Sequence, residues 1–246
     1  MTIGRAGIIG ILILVMLVEV PQGAKGTPSW GLDGIGSGAN AGIACQGTCI
    51  ARYLTTAHAN DLIILVANCD GCTTGQISSI TDSSGLTYTQ RANYADPNPI
   101  QPGYFRIWEY YAVARSPLSS DNVTVAWKGI NGMNRMQVFA VHGYGREHFD
   151  VPSPVTMSSG SCVGLNLGTC SAALGTSGKD FVFAYLATPD IAPCSLAPGW
   201  TNIYGDGWSE IDYLVLKAPS PAVQFDCNSI EVPSAILMDA ILLQPT

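Results

Sequence analysis

Downstream of residue 26, apolar side chains come in short runs separated by glycine, proline, asparagine and serine, and no stretch repeats them at helical spacing. Runs of this kind, rich in valine, isoleucine, threonine and aromatic residues, are typical of β-strands. The first predicted strands are Cys49–Thr55, Leu62–Asn68, Leu86–Ala92, Arg106–Ala114, Asn122–Lys128 and Met136–His142. The later ones are Cys170–Leu174, Phe181–Ala187, Trp200–Tyr204, Glu210–Lys217, Ala222–Cys227 and Ala235–Leu243. The pattern therefore predicts an all-β fold.

The later set of strands repeats the earlier set in order and in local sequence. Gly47–Cys49, for example, has the same three residues as Gly168–Cys170. A set of strands repeated in tandem indicates an internal duplication, because each set alone would leave one sheet face in water. Residues 27–150 and 151–246 are therefore predicted as pseudo-repeats.

Two architectures fit this arrangement. The runs Leu62–Ala67 and Phe181–Ala187 are almost wholly apolar, which is typical of strands covered on both faces. We therefore predict a single two-sheet β-sandwich of jelly-roll type to which both repeats contribute strands. The alternative is two tandem sandwiches of six strands each, joined near Val151–Pro154.

The first 26 residues have the layout of a signal peptide. One positive charge, Arg5, precedes the apolar run Gly7–Val18, and small residues follow it. The run is shorter than the roughly 20 residues that cross a hydrocarbon core, which argues against a permanent membrane helix. We expect cleavage after Gly26, an exported β-sandwich domain at 27–246, and no membrane partner once the leader is removed.

Eight cysteines form an even set, which in an exported chain predicts disulfide bonds. Short separations favour the pairs Cys69 with Cys72 and Cys162 with Cys170. The competing hypothesis is a zinc site formed by two closely spaced pairs near residues 45–49 and 69–72. The disulfide candidates are Cys45, Cys49, Cys69, Cys72, Cys162, Cys170, Cys194 and Cys227.

Composition narrows the range of partners. Of the 246 residues, 47% are hydrophobic and only 12% are charged, so the chain can bury a large core and is not disordered. A net charge of −7 argues against nucleic acid as a partner, since the Coulomb energy with phosphate is repulsive. A surface with few charges indicates that neighbouring copies cover part of it, which predicts self-association through sheet edges.

Several segments resemble a widespread group of secreted archaeal β-sandwich proteins. They are Asp82–Ala92, Trp108–Val125, Gly143, the turn at Phe149–Asp150 and Met238–Ile241. The resemblance implies a cell-surface or extracellular protein without established catalytic residues, and some related folds build surface filaments by donating a strand between subunits. These motifs consist of turns and core positions, so the resemblance implies a fold and does not identify a functional site in this chain.

The sequence holds few candidates for catalysis. Glu210 and Asp212 alternate along one strand, as the carboxylates of some jelly-roll glycan hydrolases do, but the residues after Asp212 are apolar and no third carboxylate follows. The chain has three histidines, His58, His142 and His148, but it lacks the Gly-x-Ser-x-Gly nucleophile elbow that would supply a catalytic serine for one of them. We therefore expect no enzymatic activity, and Glu210 and Asp212 are interpreted as a solvated strand edge or turn.

Metal binding has two candidate sites. His142 and His148 could share a metal ion with Glu147 or Asp150, although a solvated loop is the simpler interpretation.

The other candidate is calcium, because acidic exported sandwiches often use this ion to tie loops. Asp206, Glu210 and Asp212 cluster around two glycines and offer oxygen ligands, but without EF-hand spacing a turn is the simpler interpretation. No other cofactor is expected.

Two residues bear on carbohydrate. Trp208, flanked by glycine and acidic residues, is the tryptophan that we expect at the surface, where it could stack on a sugar ring. Asn122 begins the sequon Asn-Val-Thr and is the predicted glycosylation site. The sequence thus predicts an extracellular structural or filament-forming protein, with a lectin-like adhesin that binds surface glycans as the alternative and a glycan hydrolase behind both.

Overall fold

The computed structural model describes residues 30–38, 41–43, 47–72, 74–95, 105–129, 133–157, 168–188, 199–230 and 234–243. Throughout these ranges the regular structure is β-strand, and they contain no helix. They accordingly include no helix of the length and apolar character that a membrane span requires.

The strands of the first part are β1 (Gly31–Ile35), β2 (Ala41–Ile43), β3 (Gly47–Leu54), β4 (Asp61–Asp70), β5 (Gln76–Thr81), β6 (Thr89–Ala95), β7 (Phe105–Ala114), β8 (Asp121–Lys128) and β9 (Met133–His142). The later strands are β10 (Tyr144–Phe149), β11 (Val155–Met157), β12 (Gly168–Thr176), β13 (Asp180–Ala187), β14 (Thr201–Gly205), β15 (Ser209–Val215), β16 (Ser220–Ile230) and β17 (Ala235–Leu243).

The strands form four antiparallel sheets. Sheet I has the order β1-β9-β4-β7-β6, with β2 also paired to β9, and sheet II has the order β3-β8-β5. Sheet III has the order β10-β17-β13-β15-β14, with β11 also paired to β17, and sheet IV consists of β12 and β16.

Three apolar cores separate the sheets and stack them in the order II, I, III, IV. Leu65 and Val125 share the core between sheets I and II, whereas Ile64 and Phe183 share the one between sheets I and III. The core between sheets III and IV includes Phe225. Sheets I and III are therefore inner layers, which explains why β4 and β13 are buried at every residue.

The strand order of sheet III repeats that of sheet I position by position. Each strand of sheet I has its counterpart in sheet III at the same place: β10 for β1, β17 for β9, β13 for β4, β15 for β7 and β14 for β6. The extra pairing of β2 with β9 recurs as β11 with β17. Sheet IV likewise matches β3 and β8 of sheet II, but within the described residues it has no counterpart of β5.

The all-β prediction is confirmed, and the predicted strands are present, the third of them shifted toward Ala95. The described residues form four sheets, so the predicted single two-sheet sandwich is not confirmed; the alternative of two sandwiches also has four sheets. The physical reason is that the strands of each part of the chain are divided between an inner and an outer sheet, and the two inner sheets pack against each other. Strand β10 also lies in sheet III, so the chain passes between the inner sheets at Gly143, before the predicted repeat boundary at residue 150.

A disulfide joins Cys69 to Cys72, as the short separation predicted. This bond is consistent with an oxidising compartment and removes two of the four thiolates of the alternative zinc site. Cys170 and Cys227 are also disulfide-bonded. Cys49 lies on β3, while Cys45, Cys162 and Cys194 fall outside the described residues, as does the leader at 1–26.

Candidate functional site

The carboxylates of Glu210 and Asp212 lie on the face of β15 that looks toward sheet IV, and both are buried. Burial raises the pKa of Asp212, while hydrogen bonds from Asn202 and Glu210 work against that rise. The amide of Asn202 donates to Asp212 Oδ1 at 2.9 Å. The interpretation of this pair as a solvated edge was therefore wrong, and a sugar substrate would have to displace packed atoms to reach either group.

Asp206 does not join those two carboxylates. Its Oδ1 atom accepts hydrogen bonds from the backbone N–H groups of Trp208 and Ser209, at 2.9 and 2.8 Å. Its Oδ2 atom lies 3.3 Å from Nε of Arg135, on the opposite side of sheet III from Glu210. The predicted calcium ligands therefore point to different faces. Within the described ranges, no three His, Cys, Asp or Glu side chains are placed to hold a metal ion together.

Trp208 is only half-buried, but one face of its ring is already covered. The Arg135 guanidinium lies 5.2 Å from the centre of that ring. Trp108, Trp127 and Trp200 are buried in the cores. A sugar ring could therefore reach Trp208 only from the face opposite the arginine.

Asn122 lies on β8, the central strand of sheet II, and points away from the core that its neighbour Val123 enters. The hydroxyl of Thr124, the third residue of the sequon, donates to Asn122 Oδ1 at 3.2 Å. This orientation leaves the predicted glycosylation site on the outer face of the protein.

The structure gives His142 and His148 different surroundings. His148 packs against the rings of Tyr111 and Tyr144 with centroid distances of 6.0 and 4.9 Å, and burial lowers its pKa. Asp150 accepts hydrogen bonds from Ser177, and the Glu147 side chain is outside the described part of the chain. His142 instead meets three residues that the sequence did not connect with it.

These four residues form the aspartate–histidine cluster: Asp33, His58, Asp61 and His142. Asp61 is the first residue of β4 and His142 the last of β9, and the register places them next to each other at the end of sheet I. The register of β1 slips between Leu32 and Gly34, so a β-bulge turns Asp33 out of the ladder.

The bulged Asp33 holds the turn that carries His58. Its Oδ2 atom accepts from the backbone N–H groups of Ala57 and His58 at 2.8 and 3.0 Å. Its Oδ1 atom lies 2.6 Å from His58 Nδ1. Asn60 completes the turn in a left-handed conformation with a φ of 59°.

The second histidine is held in the same way. Nδ1 of His142 lies 2.9 Å from Asp61 Oδ1, and the His142 ring stacks on the His58 ring with a centroid distance of 4.2 Å and a tilt of 24°. The carboxylates are buried, whereas the side chains of His58 and His142 are 40% and 16% exposed. The cluster therefore has an acidic floor and an accessible imidazole surface.

The pKa values of Asp33 and Asp61 shift in opposite directions. Burial and a hydrogen bond with Asp33 raise the pKa of Asp61 to about 6, against a smaller lowering effect of His142. Burial would also raise the pKa of Asp33, but hydrogen bonds from Asp61 and from the turn around His58 outweigh it and lower that pKa. Asp61 is thus the member of the pair that holds a proton in mildly acidic solution.

The carboxylates also decide which ring nitrogen is free. An ionised carboxylate accepts and cannot donate, so each Nδ1 carries hydrogen and each Nε2 keeps its lone pair in the neutral ring. Neither Nε2 atom has a hydrogen-bond partner among the described residues. Two imidazole nitrogens with free lone pairs can act as bases or as ligands to a cation.

A second group of charges lies between sheets I and III. Arg91 of β6 donates to both carboxylate oxygens of Asp239 on β17, at 2.9 and 3.2 Å, and to the carbonyl oxygens of Val151 and Pro152 at 2.6 and 2.8 Å. Glu109 is fully buried beside Asp239, and this burial together with the neighbouring charge raises its pKa well above the ordinary value. The group joins the two parts of the chain, and Asp239 and Glu109 are buried within it.

In the described part of the chain, sheet I lacks a paired strand beside the end of β7, although Ala112 and Ala114 are buried there. Strand β4 pairs with β7 up to Ala114, whereas the last pair between β6 and β7 is Thr89 with Tyr111. Within the described residues, Ala112–Ala114 therefore have a strand on one side only. A groove of about 610 Å³ runs beside them and is lined on its other wall by residues 84–87 and Thr89.

Sheet III has the equivalent opening. Strand β15 pairs with β13 up to Val215, but its last pair with β14 is Tyr213 with Thr201. Val215 is 39% exposed, one of three large hydrophobic residues found exposed in the described chain, with Ile35 and Tyr53. Among the described residues, both inner sheets thus end in a short strand segment that is paired on one side only, at corresponding positions.

Comparison of the chain with known protein families, with curated proteins and with solved structures finds no match.

Sequence reasoning missed the aspartate–histidine cluster because its members are far apart in the chain and two of them depend on a bulge in β1. A usable signal was the position of Asp61 and His142 at opposite ends of strands that were both predicted, since antiparallel neighbours bring such ends together.

Proposed function

We propose that this protein is an extracellular structural subunit that self-associates by strand addition at the open ends of its inner sheets. The observation that carries the proposal is the unpaired segment Ala112–Ala114 with its adjoining groove. An extended segment lying in this groove could pair with β7 and continue the line of β6. Unpaired backbone groups at a sheet edge are a template for this mode of association.

The paired openings also suit a polymer. A linear assembly needs two complementary binding surfaces on each subunit, and the strand edges ending at Ala114 and Val215 could pair with each other between neighbouring copies. One subunit could therefore receive a neighbour at sheet I and another at sheet III.

The surface favours backbone pairing over apolar docking. Among the described residues, large exposed hydrophobic side chains are few, and no broad apolar patch is needed to explain them. The low fraction of charged residues reduces the repulsion that would keep edges apart. The disulfide between Cys69 and Cys72 fits the extracellular location that the proposal requires.

We also infer that the chain arose by internal duplication of one sandwich. The matching strand orders of sheets I and III support this inference, as does the repeated extra pairing at β9 and β17. Two related sandwiches that bury their inner sheets against each other are closer to the predicted alternative of two sandwiches than to a single jelly-roll sandwich.

Sedimentation velocity over a wide range of protein concentration tests the proposal, together with negative-stain microscopy. The variant Thr87→Lys with Thr89→Lys places two charges on the exposed wall of the groove, where they should block strand addition without disturbing the core. Ala126→Lys, on the outer face of the central strand β8, is the matched control. We expect polymers for the parent and the control and a monomer for the double variant. A parent that stays monomeric, or a double variant that polymerises equally, would contradict the proposal.

A further inference from the structure

We propose that the crevice between Tyr111 of sheet I and His148 at the end of β10 is a binding site for one neutral hexose ring of a glycan. The site goes beyond strand addition, because sugar binding requires neither a polymer nor a second copy of the chain.

The crevice lies where the two parts of the chain meet. Thr89 and Arg91 of β6 and Tyr111 of β7 form its wall on sheet I, and the segment 148–152 forms the opposite wall. Its volume is about 460 Å³. Small-molecule sites usually measure roughly 300–1,000 Å³, so the crevice is large enough for one sugar ring.

Hydrogen bonds fix the shape of the crevice in the unliganded chain. A bulge in β6 turns Arg91 toward sheet III. Arg91 donates there to the carbonyl oxygens of Val151 and Pro152, at 2.6 and 2.8 Å, and so holds the opposite wall in place. The backbone N–H of Asp150 donates to the carbonyl oxygen of Ala240 at 2.9 Å. A wall that is already ordered loses little conformational entropy when a ligand binds.

Aromatic rings give the crevice an apolar surface. The Tyr111 ring meets the Phe149 ring edge to face at a centroid distance of 5.1 Å and lies 6.0 Å from the His148 ring. The Arg91 guanidinium lies 4.1 Å from the centre of the Phe149 ring. Tyr111 is only half-buried, and its amphipathic ring can pack against the C–H face of a sugar while its hydroxyl meets polar groups.

Polar groups with unused hydrogen-bonding capacity surround these rings. Among the described residues, the hydroxyls of Thr89 and Tyr111 and the ring nitrogens of His148 have no hydrogen-bond partner, and all three residues line the crevice. The Asp150 carboxylate accepts from Ser177 but retains lone pairs for further donors. This mixture of donors and acceptors suits sugar hydroxyls, which both donate and accept.

The backbone of His148 supports a binding role for this wall. Its φ is 59°, a left-handed conformation that is uncommon outside glycine. Residues held in such conformations cluster at ligand sites, where the surrounding structure compensates for the strain.

The charges of the crevice favour a neutral ligand. Asp239 neutralises Arg91, Asp150 is acidic, and burial lowers the pKa of His148, which favours the uncharged ring. An anionic ligand would therefore meet a carboxylate without a free cation to offset it. A cationic ligand would compete with Arg91 for the Phe149 ring.

Saturation-transfer nuclear magnetic resonance of the unaltered chain tests the proposal. The probes are the methyl glycosides of glucose, mannose, galactose and N-acetylglucosamine, with N-acetylneuraminic acid and choline as charged probes. We expect saturable binding of at least one neutral glycoside and none of the charged probes. Failure of all four neutral glycosides to bind, or preferential binding of a charged probe, would overturn the proposal.

Two variants and a matched control locate the site. Tyr111→Leu should weaken binding about tenfold because it removes the ring, and Thr89→Val should weaken it several-fold because it removes one hydroxyl at nearly constant size. Tyr53→Leu changes an exposed tyrosine of sheet II in the same way and should bind like the parent. Trp208→Leu should also bind like the parent; loss of binding there, with Tyr111→Leu unaffected, would place the sugar at Trp208 and contradict the proposal.

The three histidine rings of the unaltered chain give a readout that does not depend on the stability of any variant. A saturating glycoside should shift the ring signals of His148 and leave those of His58 and His142 unchanged. Shifts at His58 and His142 with none at His148 would exclude the crevice as the site.

Discussion

The buried charges between sheets I and III give a prediction that separates two residues with similar side chains. Asp239 accepts two hydrogen bonds from Arg91, while burial raises the pKa of Glu109 beside it well above the ordinary value and so favours the protonated, neutral form of that side chain. Glu109→Gln replaces one neutral group by another of the same shape. Asp239→Asn removes the counter-charge of an arginine side chain that is only 12% exposed.

The expected magnitudes differ accordingly. Removing one partner of a buried ion pair costs about 3–5 kcal/mol, so Asp239→Asn should lower the free energy of unfolding by that amount. For a chain of this length each kcal/mol shifts Tm by about 2–4 °C, which predicts a loss of about 6–20 °C. Glu109→Gln should stay within about 1 kcal/mol of the parent, since no charge is removed.

Chemical denaturation at pH 7 measures both variants, and a pH series adds a check of sign. The folded state binds the Glu109 proton more tightly than the unfolded state does, so the parent loses stability as pH rises from the ordinary glutamate pKa through the raised one. Glu109→Gln should lack this loss. If Glu109→Gln proved as destabilising as Asp239→Asn at pH 7, Glu109 would be ionised in the folded protein and the reasoning would be refuted.

Three further predictions concern single positions. Gly143→Ala should lower the free energy of unfolding by about 1–3 kcal/mol, because φ is +82° and the new Cβ would lie 2.5 Å from Trp30. Gly85→Ala should lower it by less, because Gly85 has a similar φ but open space around it. Thermal melts of the two variants compare them. Cys69→Ser should cost about 2 kcal/mol, as expected for so short a closed loop, measured by denaturation without reductant; no change in stability would contradict this. Between pH 4 and 6 the parent should lose stability relative to Asp61→Asn as pH rises. The pKa of Asp61 is raised to about 6 in the folded state, so folding favours the protonated form of this carboxyl group. Parallel stability curves of the two proteins in a pH series would refute the assignment.

Much of the fold was predictable from the sequence because the inner strands carry an unambiguous signal. Runs such as Leu62–Ala67 and Phe181–Ala187 have few polar residues, and burial of both faces is the arrangement that accommodates them. The strands that were missed are short or polar. Gly31–Ile35 contains two glycines, Ala41–Ile43 is only three residues long, and Tyr144–Phe149 is largely polar.

The sequence left the choice between one sandwich and two sandwiches open, because the apolar pattern reports which faces are buried and not what buries them. An inner strand looks the same whether the covering sheet comes from the same part of the chain or from the other. The aspartate–histidine cluster was not predicted for a related reason. Asp33 reaches His58 only through a bulge in β1, a strand that the apolar pattern did not reveal. The Cys69–Cys72 disulfide was predicted correctly because its two cysteines are only three positions apart in the sequence.

Hydrogen exchange followed by mass spectrometry, at increasing protein concentration, tests strand addition most directly. Strand pairing at the open edge of sheet I predicts that the amides of the peptide covering Ala112–Ala114 become protected as the protein assembles, and that Thr87→Lys with Thr89→Lys abolishes this protection. Exchange in that peptide that does not change with concentration, while the protein assembles through other segments, would contradict it.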